Sequence, residues 1–107
     1  MKQRAIYKFS RFFGRAGDLS GVFVATPEEV AAIVGREVRF GEVLGKHSEV
    51  SAVMQTSDFT FVSDDETFVA LFDKHDLATG TNPVGVAAYN AEEDAEIAAY
   101  EAKRAAT

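Results

Sequence analysis

Two neighbouring segments of the chain, 37–44 and 49–55, alternate apolar and polar side chains with a period of two. This is the period of a β-strand with one buried face, and it does not fit a helix. Only four residues connect the segments, a length typical of a hairpin. The sequence therefore predicts an antiparallel hairpin, which constrains the fold more than any other feature. The apolar positions that carry the alternation are Val38, Phe40, Leu44, Val50, Ala52 and Met54.

Three further strands are predicted over residues 4–13, 22–24 and 59–62, because these segments are rich in aromatic and β-branched residues. A glycine-containing turn separates the first two, so we expect them to pair with each other. Both faces of segment 4–13 carry apolar side chains. This pattern predicts a strand that is partly covered on both sides.

Helix-start signals mark three helices. Residues 26–29 form a capping box with proline at the first helical position, and this helix is expected to end at Gly35. Residues 63–66 form a second capping box, which predicts a helix to about Lys74. A third helix is expected to start at Asn90, because acidic residues crowd the turns that follow and basic residues close the helix.

The chain is therefore expected to be an α+β protein with an antiparallel sheet of four to five strands, two short packed helices and a C-terminal helix. Its 107 residues are the usual size of one domain. We divide it into a compact domain over 1–85 and an Ala- and Glu-rich helical tail over 86–107. Because the outer strands of a small sheet need a partner or a cover, we expect a homo-oligomer.

The composition excludes several classes of site. The chain has no cysteine, which excludes disulfides, thiolate metal sites and a cysteine nucleophile. Its two histidines have no ligand spacing, so neither a metal nor a cofactor is expected. No apolar run approaches the roughly 20 residues of a membrane span, and no secretory signal is evident. These features predict a cytoplasmic protein that does not enter a membrane.

Charge is distributed unevenly along the chain. Five bases precede the first acid, Asp18, and the rest of the chain holds the other six bases and all 17 acids. Within the basic segment, Lys8, Arg11 and Arg15 alternate with aromatic rings, as in single-stranded nucleic-acid platforms. The net charge of −6 opposes phosphate attraction, and most of the rings are needed in a core. Nucleic-acid binding is therefore an alternative, and a basic strand that meets acids elsewhere in the fold is the preferred interpretation.

The connection between the two hairpin strands superficially resembles a phosphate-binding loop. The pattern does not fit, because three residues instead of four separate Gly41 from Gly45, and His47 separates Lys46 from Ser48. A phosphate-binding loop also leads into a helix, whereas this connection leads into a strand. The sequence therefore gives no support to nucleotide hydrolysis at this loop.

The same turn is the densest group of polar side chains in the sequence. A tight turn can present a cation, an imidazole, a hydroxyl and a carboxylate to one ligand, beside exposed backbone N–H groups. His47 and Glu49 lie two residues apart on one strand face, so an acid–base pair is the catalytic alternative. A solvated turn without a ligand is the other interpretation. The residues of the predicted ligand-binding site are Arg39, Lys46, His47, Ser48 and Glu49.

Three motifs, GVFVAT at 21–26, GEVLGKHSEV at 41–50 and GTNP at 80–83, carry a resemblance to other proteins. From Tyr7 to Gly85 the chain resembles small bacteriophage proteins. The resemblance implies a phage-encoded accessory protein that acts in the cytoplasm of the bacterial host. It implies no catalytic residues.

These observations favour a small binding module without enzymatic activity, which engages a host protein or a small anionic ligand. In a phage setting it would inhibit a host factor or sequester a small anionic defence signal. Two alternatives stay open. One is a small hydrolase or lyase that uses His47 and Glu49, and the other is a nucleic-acid-binding protein that uses Lys8, Arg11 and Arg15.

Overall fold

The computed structural model describes residues 3–44 and 49–105, and it has the α+β fold that the sequence predicts. The strands are β1 (Ala5–Phe12), β2 (Asp18–Ala25), β3 (Glu37–Gly41), β4 (Val50–Val53), β5 (Phe59–Ser63) and β6 (Thr79–Gly80). The helices are α1 (Pro27–Ile33), α2 (Glu66–Lys74) and α3 (Pro83–Ala105). Short 3₁₀ turns lie at Gly14–Ala16 and Thr56–Asp58. None of the helices in the described part of the chain has the length and apolar content of a membrane span.

The strands form two separate antiparallel sheets. One sheet has four strands in the order β5-β1-β2-β6, and the other contains β3 and β4. The predicted hairpin of the first two strands is confirmed, with Ala5 opposite Ala25 at one end and Phe12 opposite Asp18 at the other. The predicted pairing of β3 with β4 is also confirmed.

Both faces of the four-stranded sheet are covered, as the apolar residues on both faces of β1 predict. On one face the main core brings together the two-stranded sheet, α1 and the start of α3. On the other face Ile6 packs against Val69 and Phe72 of α2. The core is dense in aromatic rings, and the rings of Phe9 and Phe40 stack across the two sheets with centroids 5.9 Å apart. Such ring pairs add roughly 1 kcal/mol beyond the area that they bury.

The predicted capping box of α1 is confirmed. The Thr26 hydroxyl accepts a hydrogen bond from the backbone N–H of Glu29 at 3.1 Å, and the Glu29 carboxylate accepts one from the N–H of Thr26 at 2.9 Å. Pro27 occupies the first helical position. Because these contacts satisfy N–H groups that an open helix end would leave without partners, they stabilise a helix of only seven residues.

The predicted capping box of α2 is wrong by two residues. Asp65 caps the helix, because its carboxylate accepts hydrogen bonds from the N–H groups of Thr67 and Phe68 at 2.9 and 3.2 Å. Ser63 cannot act as the cap, since it is still part of β5 and pairs with Ile6 of β1. Sheet pairing has therefore delayed the helix start.

The predicted hairpin strands are shorter than expected. The first ends at Gly41, which has a φ of +76°, and the register shifts between Arg39 and Gly41. A positive φ suits glycine and ends the regular extended backbone there. The bend at 45–48 lies outside the described residues.

The predicted start of α3 at Asn90 is wrong, since the helix begins at Pro83. The Asn82 side-chain oxygen accepts hydrogen bonds from the N–H groups of Val84 and Gly85 at 3.0 and 3.2 Å, as a helix cap does. Residues 91–105 are exposed along their whole length. The division of the chain at residue 85 stays a prediction.

Candidate functional site

An open cleft of about 850 Å³ lies between the two-stranded sheet and the first turns of α3. Phe40, Val50 and Ser51 contribute from the sheet, and Val86 and Tyr89 contribute from the helix. The segment 80–82, which leads into the helix, completes the lining. This volume is within the range of roughly 300–1,000 Å³ that ligand sites occupy.

Two glycines determine the position of the first turns of α3, which form the helical wall of the cleft. A Cβ atom on Gly21 would lie 2.1 Å from the backbone oxygen of Thr81, and one on Gly80 would lie 2.3 Å from the backbone oxygen of Ser20. Gly80 also has a φ of +74°. Only residues without a side chain allow β6 to lie this close to β2, where the Thr81 N–H donates to the Ser20 carbonyl at 2.9 Å. This contact places Asn82, and with it the start of α3.

Asn90 attaches α3 to the edge of β3. Its side-chain oxygen accepts a hydrogen bond from the Arg39 N–H at 2.8 Å, and its amide nitrogen donates to the Arg39 carbonyl at 3.2 Å. The amide thus satisfies both backbone groups of Arg39, as a neighbouring strand would. Asn90 was predicted as a helix cap, and the structure places it inside the helix as the docking residue.

The Arg39 side chain is bound by the same helix. Its guanidinium donates to the Asp94 carboxylate at 2.8 Å and lies 3.9 Å from the Glu93 carboxylate. The hydrogen bond to Asp94 raises the pKa of Arg39 further above its ordinary value, so the group stays charged. Since the pair is exposed, it contributes little to stability. Arg39, which we predicted as a ligand contact, therefore already forms an ion pair within the chain.

The described lining of the cleft is acidic. Glu37, Glu49 and Glu93 contribute three carboxylates, and Arg39 contributes a guanidinium whose charge Asp94 balances. Apolar surface lies beside these charges, since the exposed side chains of Val43 and Tyr89 also line the cleft. The arrangement favours a cationic group with an apolar stem over an anion.

The structure brings two of the predicted ligand-binding residues together, because Arg39 and Glu49 both line the cleft. Lys46, His47 and Ser48 lie outside the described residues. The ligand site at the turn and the acid–base pair of His47 and Glu49 therefore stay predictions.

The three bases of the nucleic-acid alternative have different surroundings. Lys8 and Arg15 are exposed. The Arg11 guanidinium donates to the nearly buried carboxylate of Asp58 at 2.7 Å and to the Val53 carbonyl at 3.1 Å. This side chain ties β1 to the segment between β4 and β5, so Arg11 has a structural role. Nucleic-acid binding through Lys8, Arg11 and Arg15 stays a prediction.

Within residues 3–44 and 49–105, no group of three or more His, Asp or Glu side chains is placed to hold a metal ion. His75 occupies the position that follows the last turn of α2, where its backbone N–H donates to the Leu71 carbonyl at 3.0 Å.

Sequence reasoning missed the helical wall of the cleft. Asn82 followed by Pro83 is a recognisable helix start, with a capping residue before a proline at the first position. No comparable signal identifies Asn90, because its partner Arg39 is 51 residues away.

The comparisons with protein-family models, with curated proteins and with solved structures found no match to this chain. The resemblance to small bacteriophage proteins therefore stays a prediction.

Proposed function

We propose that this chain is a small binding module without enzymatic activity, whose cleft binds a basic segment of a partner protein. The observation that carries the proposal is the charge of the described lining of the cleft, which contains three carboxylates and one guanidinium, and Asp94 already neutralises that guanidinium. A cation that enters this cleft gains Coulomb attraction, whereas an anion would be repelled.

The apolar part of the cleft suits the long stems of lysine and arginine. Tyr89 is 63% exposed and lies one helical turn from Glu93 on the same wall. A basic side chain can lay its methylene groups along the tyrosine ring and direct its charge to the carboxylate. The cleft thus offers the two kinds of surface that one such side chain requires.

The proposed partner is a protein of a bacterial host, which this chain would bind in the host cytoplasm. The resemblance to bacteriophage proteins supports this setting. The small anionic ligand predicted from the turn is the weaker candidate, because the described lining of the cleft is acidic. A basic protein segment fits that lining better.

Fluorescence anisotropy with two labelled peptides tests this proposal. The probe is a peptide of alternating lysine and leucine, and its matched control replaces each lysine by glutamate. We expect the basic peptide to bind, with an affinity that falls as salt is added, and the acidic peptide not to bind.

Cleft variants locate that binding. The double substitution Glu37→Gln with Glu49→Gln should weaken binding of the basic peptide by about tenfold, since each exposed pair is worth up to about 1 kcal/mol. Glu92→Gln removes a charge from an exposed position of α3 outside the cleft and should leave the affinity unchanged. Failure of the basic peptide to bind, or an equal loss in the Glu92→Gln variant, would contradict the proposal.

One observation favours a second candidate function, a small hydrolase or lyase, because Glu49 lines the cleft and follows His47 by two residues. In that case His47→Ala should abolish turnover of a substrate found by screening host metabolites, while thermal unfolding stays unchanged. Full turnover in the His47→Ala variant would exclude this mechanism.

A further inference from the structure

Two carboxylates of the cleft lie at different levels along one face of the two-stranded sheet. The exposed positions of β3 alternate, so Glu37 and Arg39 point to the same side. Across from them on β4, Val53 lies opposite Glu37 and Ser51 lies opposite Arg39, and both are exposed. Glu49 precedes Ser51 by two residues, is exposed and lines the cleft, so it continues the same face.

The register gives the separation of these two carboxylate-bearing residues. Glu37 is at the level of Val53, and Glu49 precedes Val53 by four residues. Because a strand rises about 3.3 Å per residue, the backbone levels of Glu37 and Glu49 are about 13 Å apart. A single basic side chain is too short to reach both carboxylates.

Each level keeps a negative charge. Near Glu37, the guanidinium of Arg39 lies 2.8 Å from the Asp94 carboxylate and 3.9 Å from that of Glu93. Three carboxylates therefore share one guanidinium at this level. Glu49 contributes the carboxylate of the other level.

An exposed aromatic ring lies between the two levels. Tyr89 lines the cleft and precedes Asn90, whose amide bonds to the backbone of Arg39. Arg39 is two residues from Glu37 on the strand that leads toward the level of Glu49. The order along the cleft is therefore acid, ring and acid.

We infer that the cleft binds an extended segment of a partner protein that has two basic residues at positions i and i+4 and an apolar residue at i+2. In an extended chain these three side chains share one face, and the outer two are about 13 Å apart. The bases face Glu37 and Glu49, and the apolar side chain packs on Tyr89. The inference rests on the proposed function and adds the conformation and spacing of the ligand.

An extended segment fits this arrangement better than a helix or a free polyamine. Residues i and i+4 of a helix are only about 6 Å apart along its axis, less than half the separation of the two carboxylate levels. A linear polyamine has cations at a suitable distance but no side chain for Tyr89. The cleft volume of about 850 Å³ is near the upper end of the range of ligand sites, which leaves room for a peptide backbone.

Fluorescence anisotropy with three labelled peptides tests the spacing. Each peptide contains two lysines, one leucine and four threonines, and the lysines are separated by four, three or two positions. Only the peptide with a separation of four places both lysines on one face at the required distance. We expect it to bind about fivefold more tightly than the other two, since each of them loses one ion pair.

The outcomes separate this inference from the proposed function. If none of the three peptides binds, both fail. If all three bind equally, the cleft attracts bases without a spacing rule, and only this inference is overturned. Equal binding of the peptides with separations of three and four indicates a helical ligand and also overturns it, because a helix places both pairs on one face. Decamethylenediamine, a linear diamine, should displace the peptide only weakly, and displacement at equal concentration would overturn the choice of a protein segment.

A double-mutant cycle tests which base faces which acid. In the peptide with a separation of four, each lysine is replaced in turn by methionine, which keeps a linear side chain without the charge. Against one of these peptides Glu37→Gln should lose about fivefold in affinity and Glu49→Gln should lose nothing, and against the other peptide the order should reverse.

Glu92→Gln is the matched control, because it removes the same charge from an exposed position outside the cleft lining, and it should leave the affinity for each peptide unchanged. Circular dichroism checks that each protein variant is folded. If Glu37→Gln and Glu49→Gln weaken both methionine peptides equally, the bases have no fixed register in the cleft and the inference is wrong.

Discussion

The two halves of α3 belong to one helix, but different forces stabilise them. In the N-terminal half, residues 83–94, Val86 and Ala87 pack against the main core and Asn90 bonds to the backbone of β3. In the C-terminal half, residues 95–105, every residue is exposed. We call these the docked half and the projecting half.

The comparison shows that the projecting half depends on intrinsic helix propensity. Seven of its eleven residues are Ala or Glu, which have high helix propensity, whereas the docked half contains Pro83, Gly85 and Asn90. Packing therefore stabilises the half with the poorer sequence. The radius of gyration, 16.1 Å, exceeds the roughly 13 Å of a compact domain of this size, as a projecting helix requires.

The largest expected effect comes from breaking the support of the docked half. Gly21→Ala places a Cβ atom 2.1 Å from the Thr81 carbonyl oxygen, so the backbones of β2 and β6 must separate. We expect a loss of about 3 kcal/mol in the free energy of unfolding, measured by urea denaturation. Gly85→Ala is the control, because its Cβ would find only ordinary contacts at 3.7 Å and should stabilise the helix slightly. Equal stability of the two variants would contradict this account.

A smaller effect is expected when the docked half loses its bond to β3. Asn90→Ala removes both hydrogen bonds to Arg39 but gains helix propensity, so the net loss should be about 1 kcal/mol. Hydrogen exchange of the amides of the docked half should become faster, and that of β1 should change less. Asn90→Asp keeps the acceptor for the Arg39 N–H but sets a carboxylate oxygen against the Arg39 carbonyl oxygen, so it should not recover the loss. If amide exchange in the docked half of Asn90→Ala is slower than in the wild-type protein, the proposed role of Asn90 in docking α3 is contradicted.

The smallest effect on global stability is expected in the projecting half. Ala99→Gly should reduce helical ellipticity at dilute concentration, through a local cost of about 1 kcal/mol, without a shift in the urea midpoint. The same substitution in the docked half, Ala87→Gly, should lower the urea midpoint as well, because Ala87 packs on the core. If both variants shift the urea midpoint equally, the projecting half is coupled to the domain and is not stabilised by helix propensity alone.

Local patterns in the sequence predicted most of the fold. The alternation in β3 and β4, the apolar residues on both faces of β1 and the capping box at Thr26 are interactions between close neighbours or along one face, so composition and spacing reveal them. The start of α2 was misplaced because strand pairing of Ser63 competes with a capping signal of similar strength. The pairing of Ser63 with Ile6 is a contact between distant segments, so the sequence around Ser63 alone does not reveal it.

The site was harder to predict than the fold because its charges come from distant segments. Arg39 and Glu49 were identified from the hairpin, and both line the cleft. The charge balance depends on Asp94, 55 residues from Arg39 in sequence, which converts a predicted anion contact into an internal ion pair. The segregation of β3 and β4 into their own sheet, which opens the cleft, also depends on tertiary packing.

The two-faced strand β1 has a consequence for how this sequence can change. Tyr7 and Phe9 serve the main core, and Ile6 serves the cluster beneath α2. Successive residues of a strand point to opposite faces of the sheet. One inserted or deleted residue would therefore exchange the side chains of the two faces, and an aromatic ring would occupy the position of Ile6 beneath α2. Length variation is therefore expected to be excluded from this strand, while the exposed end of α3 can be extended or shortened without altering either core.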